Sequence, residues 1–470
     1  MATGFVKNLV GFSSESIINF IISFITVPIA TRLFAPDAYG QVIMLQSVVL
    51  LCVVLPQFGQ DQAFARFFHE SKDKNRLLNI NLTVVLVAWS FVMMGSVIFS
   101  RILSVKIFRE VNGTAIILAA YTLLPMSLIR MSLMVYRMQI KIKSYIAQSV
   151  IYNTLIKAAI LCTGFLRSDY NMYAFLLAGM MTAFAILCLL GQYRKNKVSF
   201  CGTVKMQEIK PFLIFGFPAV IAAFLFQLQS FLPRYLLSSS VGFMELGIYS
   251  ASVSLASTIN VVQAGFSSYF GPYLYGHYEQ DRGQINYIHH TMSYLCFLAV
   301  CGLTLFSGII VKLLGEKYAG AQTVFPVLLI YLICVTLSET TVYGINIAKK
   351  MYLHIVVSAL TVGSVFAFCI ILIPKLGVLG AAISYSASAL VFLASRTYWG
   401  LKYFKPIKNG GVTVAMLVAA SAVTLINIWL DGETLKKTLA ILAIVAVMSC
   451  VYLPLLKKRL ADWKTLEKKK

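Results

Sequence analysis

Stretches of about twenty predominantly apolar residues, each enough to cross a hydrocarbon core roughly 30 Å thick, recur from one end of this chain to the other. They fall near residues 8–33, 40–66, 78–100, 113–136, 144–165, 171–192, 210–237, 246–274, 289–314, 322–348, 352–374, 378–401, 411–430 and 437–456. The pattern predicts an all-α polytopic membrane protein with about fourteen spans. Connections between the runs are short and leave no room for a soluble domain. Composition agrees: 59% of the 470 residues are hydrophobic and 12% charged, against about 25% charged in soluble domains. The first run is too long for the apolar core of a signal peptide, so it is expected to remain as a span.

The net charge of +23 raises nucleic acid as a partner. A nucleic-acid-binding domain gathers its basic residues on one soluble face, whereas here they are scattered between apolar runs, so no nucleic acid is expected. They concentrate instead in alternate connections: Lys72, Lys74 and Arg76; Arg137, Lys141 and Lys143; Arg194 to Lys210; and the C-terminal tail. By the positive-inside rule these connections and both termini are expected to be cytoplasmic. Nine cysteines and five histidines show no metal-ligand or disulfide spacing, and no Walker A motif is present. The expectation is therefore no metal, no cofactor and no ATP-driven engine.

An internal repeat is visible. "VPIATRLFAPDAYG" follows the first span and "FLPRYLLSSSVGFMELGIY" the seventh. Each runs from a proline through an arginine and a small or polar stretch to an acid and a Gly/Tyr pair, with Gly40 and Gly247 in corresponding places. Transporter halves often repeat in this way, with the substrate between them. Two six-helix lobes, 1–200 and 201–405, and a helix pair with a basic tail, 406–470, fit the count.

Charges in mid-span cost about 2.5–3.5 kcal/mol on insertion scales and are functional candidates for that reason. Lys157 lies too deep in span 5 for easy snorkelling, and Arg130 lies two turns deeper in span 4 than Arg137, which reads as an anchor. Arg234 and Arg32 stand near span ends, either as anchors or at the rim of a cavity. In span 1, Glu15, Asn19 and Ser23 recur at i+4 and form one polar stripe, turned to a lumen or used in helix packing. Glu339 in span 10 shares a face with Tyr343 and Asn346; it either takes up a coupling proton or pairs with Arg130 or Lys157. Span 8 carries Ser254, Ser257, Asn260 and Gln263, a neutral stripe suited to sugar hydroxyls or to tight packing. At the end of span 2, "FGQDQAFARFFHE" places Asp61 and Arg66 beside a basic connection. Arg66 reads as an interfacial anchor and part of an entrance, and Asp61, about one turn away, as a charge-pairing or coupling acid that orients it, outside the deep site. The deep basic groups suit a cargo with an anionic, phosphate-bearing head.

Several stretches then carry a likeness: "VPIATRLFAPDAYGQ", "FGQDQAFARFFHE", "ELGIYSASVSLAS", "GPYLYGHYEQ" and "LIPKLGVLGAAIS". In this order, over roughly residues 8–400, the chain resembles the polysaccharide-transporter branch of the MOP (multidrug/oligosaccharidyl-lipid/polysaccharide) exporters, the family of Wzx-type O-antigen flippases. The resemblance implies a transporter and not an enzyme, with a MATE/MOP-like fold of two six-helix lobes plus two C-terminal helices in a bacterial inner membrane. It implies transfer of an undecaprenyl-diphosphate-linked oligosaccharide, an O-antigen or lipopolysaccharide unit, from the cytoplasmic to the periplasmic leaflet by alternating access. Expected partners are the lipid-linked oligosaccharide, membrane lipids, H+ or Na+ as a coupling ion at Glu15 or Glu339, and polymerase and chain-length proteins of the same pathway. Competing readings are a lipid II-type flippase, a multidrug or cation antiporter of the same superfamily, and a membrane polymerase or ligase. The antiporter reading fits poorly with deep charges that include Arg130 and Lys157.

Overall fold

The computed structural model describes residues 2–467 except 69, 70, 72, 168, 197–203, 258–262, 264, 265, 268, 269, 271–273, 275–281, 349 and 406. Among the described residues every regular element is helical. In chain order these are α1 (Ala2–Leu33), α2 (Pro36–Cys52), α3 (Val54–Gln57), α4 (Gln60–Phe67), α5 (Lys74–Phe108), α6 (Thr114–Met138), α7 (Ile142–Phe165), α8 (Tyr170–Asn196) and α9 (Met206–Ser240). They continue with α10 (Phe243–Ser257), α11 (Arg282–Leu305), α12 (Ser307–Lys312), α13 (Ala321–Thr341), α14 (Tyr343–Ile347), α15 (Tyr352–Tyr403), α16 (Gly410–Trp429) and α17 (Thr434–Glu467).

Among the described residues twelve helical segments are long and apolar enough to span a membrane. One of them, α15, has 52 residues and at 1.5 Å per residue would reach about 78 Å if straight, far beyond a bilayer core. It folds back instead. Pro374 weakens the helix and Gly377 takes φ 54° and ψ −127°, a left-handed backbone that a β-carbon disfavours. Gly380 then packs on the Leu372 carbonyl, where any side chain would collide. Its limbs match the two expected spans, 352–374 and 378–401, and counting them separately turns twelve into thirteen. Of the expected span 246–274 the structure describes α10 and a few later positions. Asn260 and most of "GPYLYGHYEQ" lie outside the described residues.

Span 2 departs from the uninterrupted helix expected over 40–66. Its start is conventional: Pro36 occupies the first turn of α2, with Asp37 beside it, where a missing N–H costs nothing and a negative charge favours the helix dipole. Further on, Pro56 has no N–H to donate, and Phe58 and Gly59 adopt φ 43° and 66°. The span is therefore three pieces, α2, α3 and α4, with polar residues gathered at the last break.

Packing gathers the chain into two compact units, Met1–Ser250 and Ala251–Lys470. In a membrane the hydrophobic effect does not drive helices together, so small residues and interhelical hydrogen bonds carry more of the specificity. The first unit shows this at Ser132 of α6. Its hydroxyl bonds the Gln148 amide of α7 at 3.0 Å and accepts from Gln192 of α8 at 2.9 Å. Trp89 of α5 donates to the Ala120 carbonyl of α6 at 2.9 Å. An apolar cluster including Phe64, Phe68, Leu78, Met131, Val135 and Phe212 holds α4 against α5, α6 and α9. In the second unit His289 of α11 bonds Thr340 of α13 at 2.6 Å and Thr413 of α16 at 2.9 Å. That buried histidine is a structural tie between three spans.

Candidate functional site: a polar cluster inside the first unit

Spans 1 and 5 both run the same way, and their polar stripes meet in register. Glu15, Asn19 and Ser23 recur every four residues on α1; Ser149, Asn153 and Lys157 do the same on α7. The Ser149 hydroxyl donates to the Glu15 carboxylate. Lys157 Nζ donates to Ser23 Oγ at 2.5 Å and to the Asn19 carbonyl at 3.2 Å. Lys157 is thus a partly buried ammonium held by neutral oxygens.

A second group forms where span 2 breaks. The Arg130 guanidinium of α6 donates to Gln57 Oε1 of α3 at 3.0 Å and lies within electrostatic reach of Tyr152 and Asp61. Asp61, in the first turn of α4, faces Arg130 and Arg137. Tyr145 of α7 couples this group to the first one, since it hydrogen-bonds Glu15 and feels Arg137 and Asp61. Beside them is a small cavity lined by Gln57, Gln60, Asp61, Asn81 and Ser127. Gln57, Gln60 and Asn81 are buried, and Gln57 Nε2, both ends of the Gln60 amide and Asn81 Oδ1 find no partner among the described residues. Buried amides are ordinarily satisfied; this set can offer donors and acceptors to a polar ligand.

The sequence-derived candidates divide accordingly. Glu15, Asp61, Arg130 and Lys157 come together in spans 1, 2, 4 and 5. Asp61, expected to sit apart from the deep chemistry, belongs to the Arg130 group, because the break in span 2 turns it inward. Gln57, Gln60 and Asn81 carry no charge and were not singled out; Pro56 and Gly59 in an apolar run were the available signal. Arg234 of α9 donates to Ser47 Oγ at 3.3 Å, inside α2, while Arg32 and Arg66 are exposed. In the second unit Glu339 is paired with Arg396 at 3.0 Å and accepts from Ser267 at 3.1 Å, a partner not foreseen for it. Ser257 donates to the Ser254 carbonyl at 2.8 Å, within its own helix, and Gln263 is partly buried. Among the described residues no group of histidine, cysteine or acidic side chains is arranged to hold a metal ion.

A family model described as polysaccharide biosynthesis protein matches residues 5–274, more than half of the chain. The chain belongs to the polysaccharide biosynthesis protein family. The match covers the stretches of spans 1 to 8 and the four charged residues of the polar cluster. Among curated relatives, this family member is 25% identical over 239 residues to the capsular polysaccharide biosynthesis protein CapF of Staphylococcus aureus, spanning 49% of this chain and 60% of that protein. Its fold is that of the MOP-superfamily transporters. The lipid II flippase MurJ in an inward closed conformation superposes with a TM-score of 0.72 at 12% identity, over 95% of this chain and 99% of that one. An inward-facing multidrug resistance MATE transporter of the MOP superfamily superposes at 0.62 with 14% identity, over 82% and 97%.

Proposed function

We propose that this polysaccharide biosynthesis protein is a flippase for an oligosaccharide carried on a lipid diphosphate, an undecaprenyl-diphosphate-linked O-antigen or similar surface-polysaccharide unit. It moves the unit from the cytoplasmic to the periplasmic leaflet by alternating access of two lobes, residues 1–200 and 201–405, with 406–470 as an added pair. The observation that carries this reading is the state of Arg130 and Lys157. Both lie inside apolar spans, and among the described residues neither has a carboxylate within the 4.0 Å of an ion pair. A cation in low dielectric with no carboxylate in ion-pair contact is costly, and an anionic head supplies that contact through charge-assisted hydrogen bonds. The unpartnered amides of Gln57, Gln60 and Asn81 suit the sugar next to that head.

Transfer leaves the cargo chemically unchanged, so the protein needs binding and conformational work, not catalysis. Movement of a negatively charged head outward is favoured by an inside-negative potential, at about 2.3 kcal/mol per charge per 100 mV. Asp61 faces the same Arg130 that would hold the head, so cargo binding weakens the hold of Arg130 on Asp61 and favours uptake of H+ or Na+ there. Glu15 is the other acid of the cluster that an ion can use.

Complementation of a strain lacking its polysaccharide flippase tests the reading. Wild-type protein is expected to restore surface polysaccharide, Arg130→Ala and Lys157→Ala to abolish it at unchanged membrane levels, and Arg130→Lys to restore it partly, since lysine keeps the charge but loses the fork. Full polysaccharide in both alanine variants, or rescue of a strain lacking its lipid II flippase instead, overturns the assignment.

A further inference from the structure

Two backbone-to-backbone contacts tie span 2 to the chain of spans 7 and 8 within the first unit, one near each end. At the first end, Gly40 is the fifth residue of α2 and Gly247 the fifth residue of α10. A β-carbon on Gly40 would run into the carbonyl oxygen of Phe243, the first residue of α10, and stand 3.1 Å from Gly247 N. A β-carbon on Gly247 would run into the carbonyl oxygen of Pro36, the first residue of α2, and stand 3.1 Å from Pro36 Cα. Exchanging the two helices maps each half of the contact onto the other, as in an isologous interface about a two-fold axis. The segments involved are the two whose sequences repeat, "APDAYG" and "GFMELGIY".

At the second end Gly59 and Gly216 repeat the arrangement. A side chain on Gly59 would meet the Gly216 carbonyl, and one on Gly216 the Phe58 carbonyl. Phe67 packs on Phe212 beside it, the rings tilted by 40° with centroids 4.7 Å apart. Between the two ends α2 and α9 pack on each other and share three polar contacts, Gln227 to the Leu50 carbonyl at 2.9 Å, Arg234 to Ser47 Oγ at 3.3 Å and Ser238 to Met44 Sδ at 3.9 Å.

We propose that these two glycine seams are the latches of the transport cycle: Gly40–Gly247 closes one end of the span 2 face, Gly59–Gly216 closes the other, and they part in turn. The inference rests on the alternating-access part of the proposed function. At the glycines themselves bare backbone surfaces meet through weak C–H···O contacts with no side chain of their own to unlock; at the Gly59–Gly216 end the Phe67–Phe212 pair parts with the seam. The same geometry makes it intolerant of a single added methyl group, which holds that end open.

Maleimide labelling of the purified, detergent-solubilised full chain tests this without any cargo, so its outcome is independent of the substrate assignment. The nine native cysteines are first replaced by alanine. One reporter is then introduced, either Ser47→Cys, two turns from Gly40 along α2, or Ala63→Cys on α4; both positions are buried. Gly40→Val is expected to raise labelling of Ser47→Cys at least tenfold and leave Ala63→Cys unchanged. Gly216→Val is expected to do the reverse. Gly95→Val, where an added group meets nothing within 4 Å, changes neither. Gly40→Ala and Gly216→Ala carry the same prediction with smaller rises if the valine variants do not elute as a single species. Unchanged labelling, both reporters rising together, or failure of the alanine variants to fold assigns the seams to static packing and overturns the proposal.

Discussion

Glu339 and Arg396 form a mostly buried ion pair, 16% and 14% exposed at the side chain, in the second unit. Losing one partner strands the other charge, which in buried pairs costs about 3–5 kcal/mol, whereas replacing both with apolar groups is often near neutral. Glu339→Gln and Arg396→Met are therefore each expected to lower the thermal unfolding midpoint of the detergent-solubilised protein by several degrees, and Glu339→Leu with Arg396→Met to recover most of it. A double variant as unstable as the sum of the two singles contradicts the pairing. Legibility at this scale follows desolvation cost. Glu15, Arg130 and Lys157 stood out because a charge in an apolar run demands an explanation. Gln57, Gln60 and Asn81 did not, because an amide costs less to bury and looks like ordinary span polarity. Arg396 lies near the end of an apolar run, and its pairing with Glu339 depends on how spans 10 and 12 are rotated, which spacing along one helix does not reveal.

Helices set where those side chains point, and two glycines in α15 test the account of the element. Gly380 lies against the Leu372 carbonyl, whereas a β-carbon on Gly363 in the same helix meets nothing within 4 Å. Gly380→Leu is expected to prevent the hairpin from closing and to remove most folded protein from membranes, while Gly363→Leu leaves it near wild type; fluorescence-detected size exclusion distinguishes them. Equal yields would mean the limbs of α15 are not in contact there. Long apolar runs were legible as spans because the bilayer imposes their length, and the α15 hairpin was legible because Pro374 and Gly377 interrupt one. Ends were less so: α5 continues from Lys74 to Phe108, about 52 Å at 1.5 Å per residue, since a helix need not stop where hydrocarbon does. The break in span 2 was missed because Pro36–Phe67 as a whole is apolar enough to read as one span, while only Phe58 and Gly59 leave the helical backbone. That break is what brings Asp61 to Arg130.

For the molecule as a whole, charge, fold and family lead to one account. In the proposed account apolar spans exclude water, the cations Arg130 and Lys157 of spans 4 and 5 hold an anionic head beside the acids Glu15 and Asp61 of spans 1 and 2, and paired seams on span 2 give the site two alternating exits. The family match and the MOP-type fold are consistent with that account, and the lipid diphosphate is its central claim. Proteoliposomes test it most directly, with fluorescent glycolipids that share one prenyl chain and one sugar but carry either a diphosphate or a neutral linkage. Wild-type protein is expected to speed transbilayer movement of the diphosphate lipid only, and Arg130→Ala with Lys157→Ala to reduce it to the rate of protein-free vesicles. Equal movement of both lipids, or an undiminished rate in the double variant, would contradict the account.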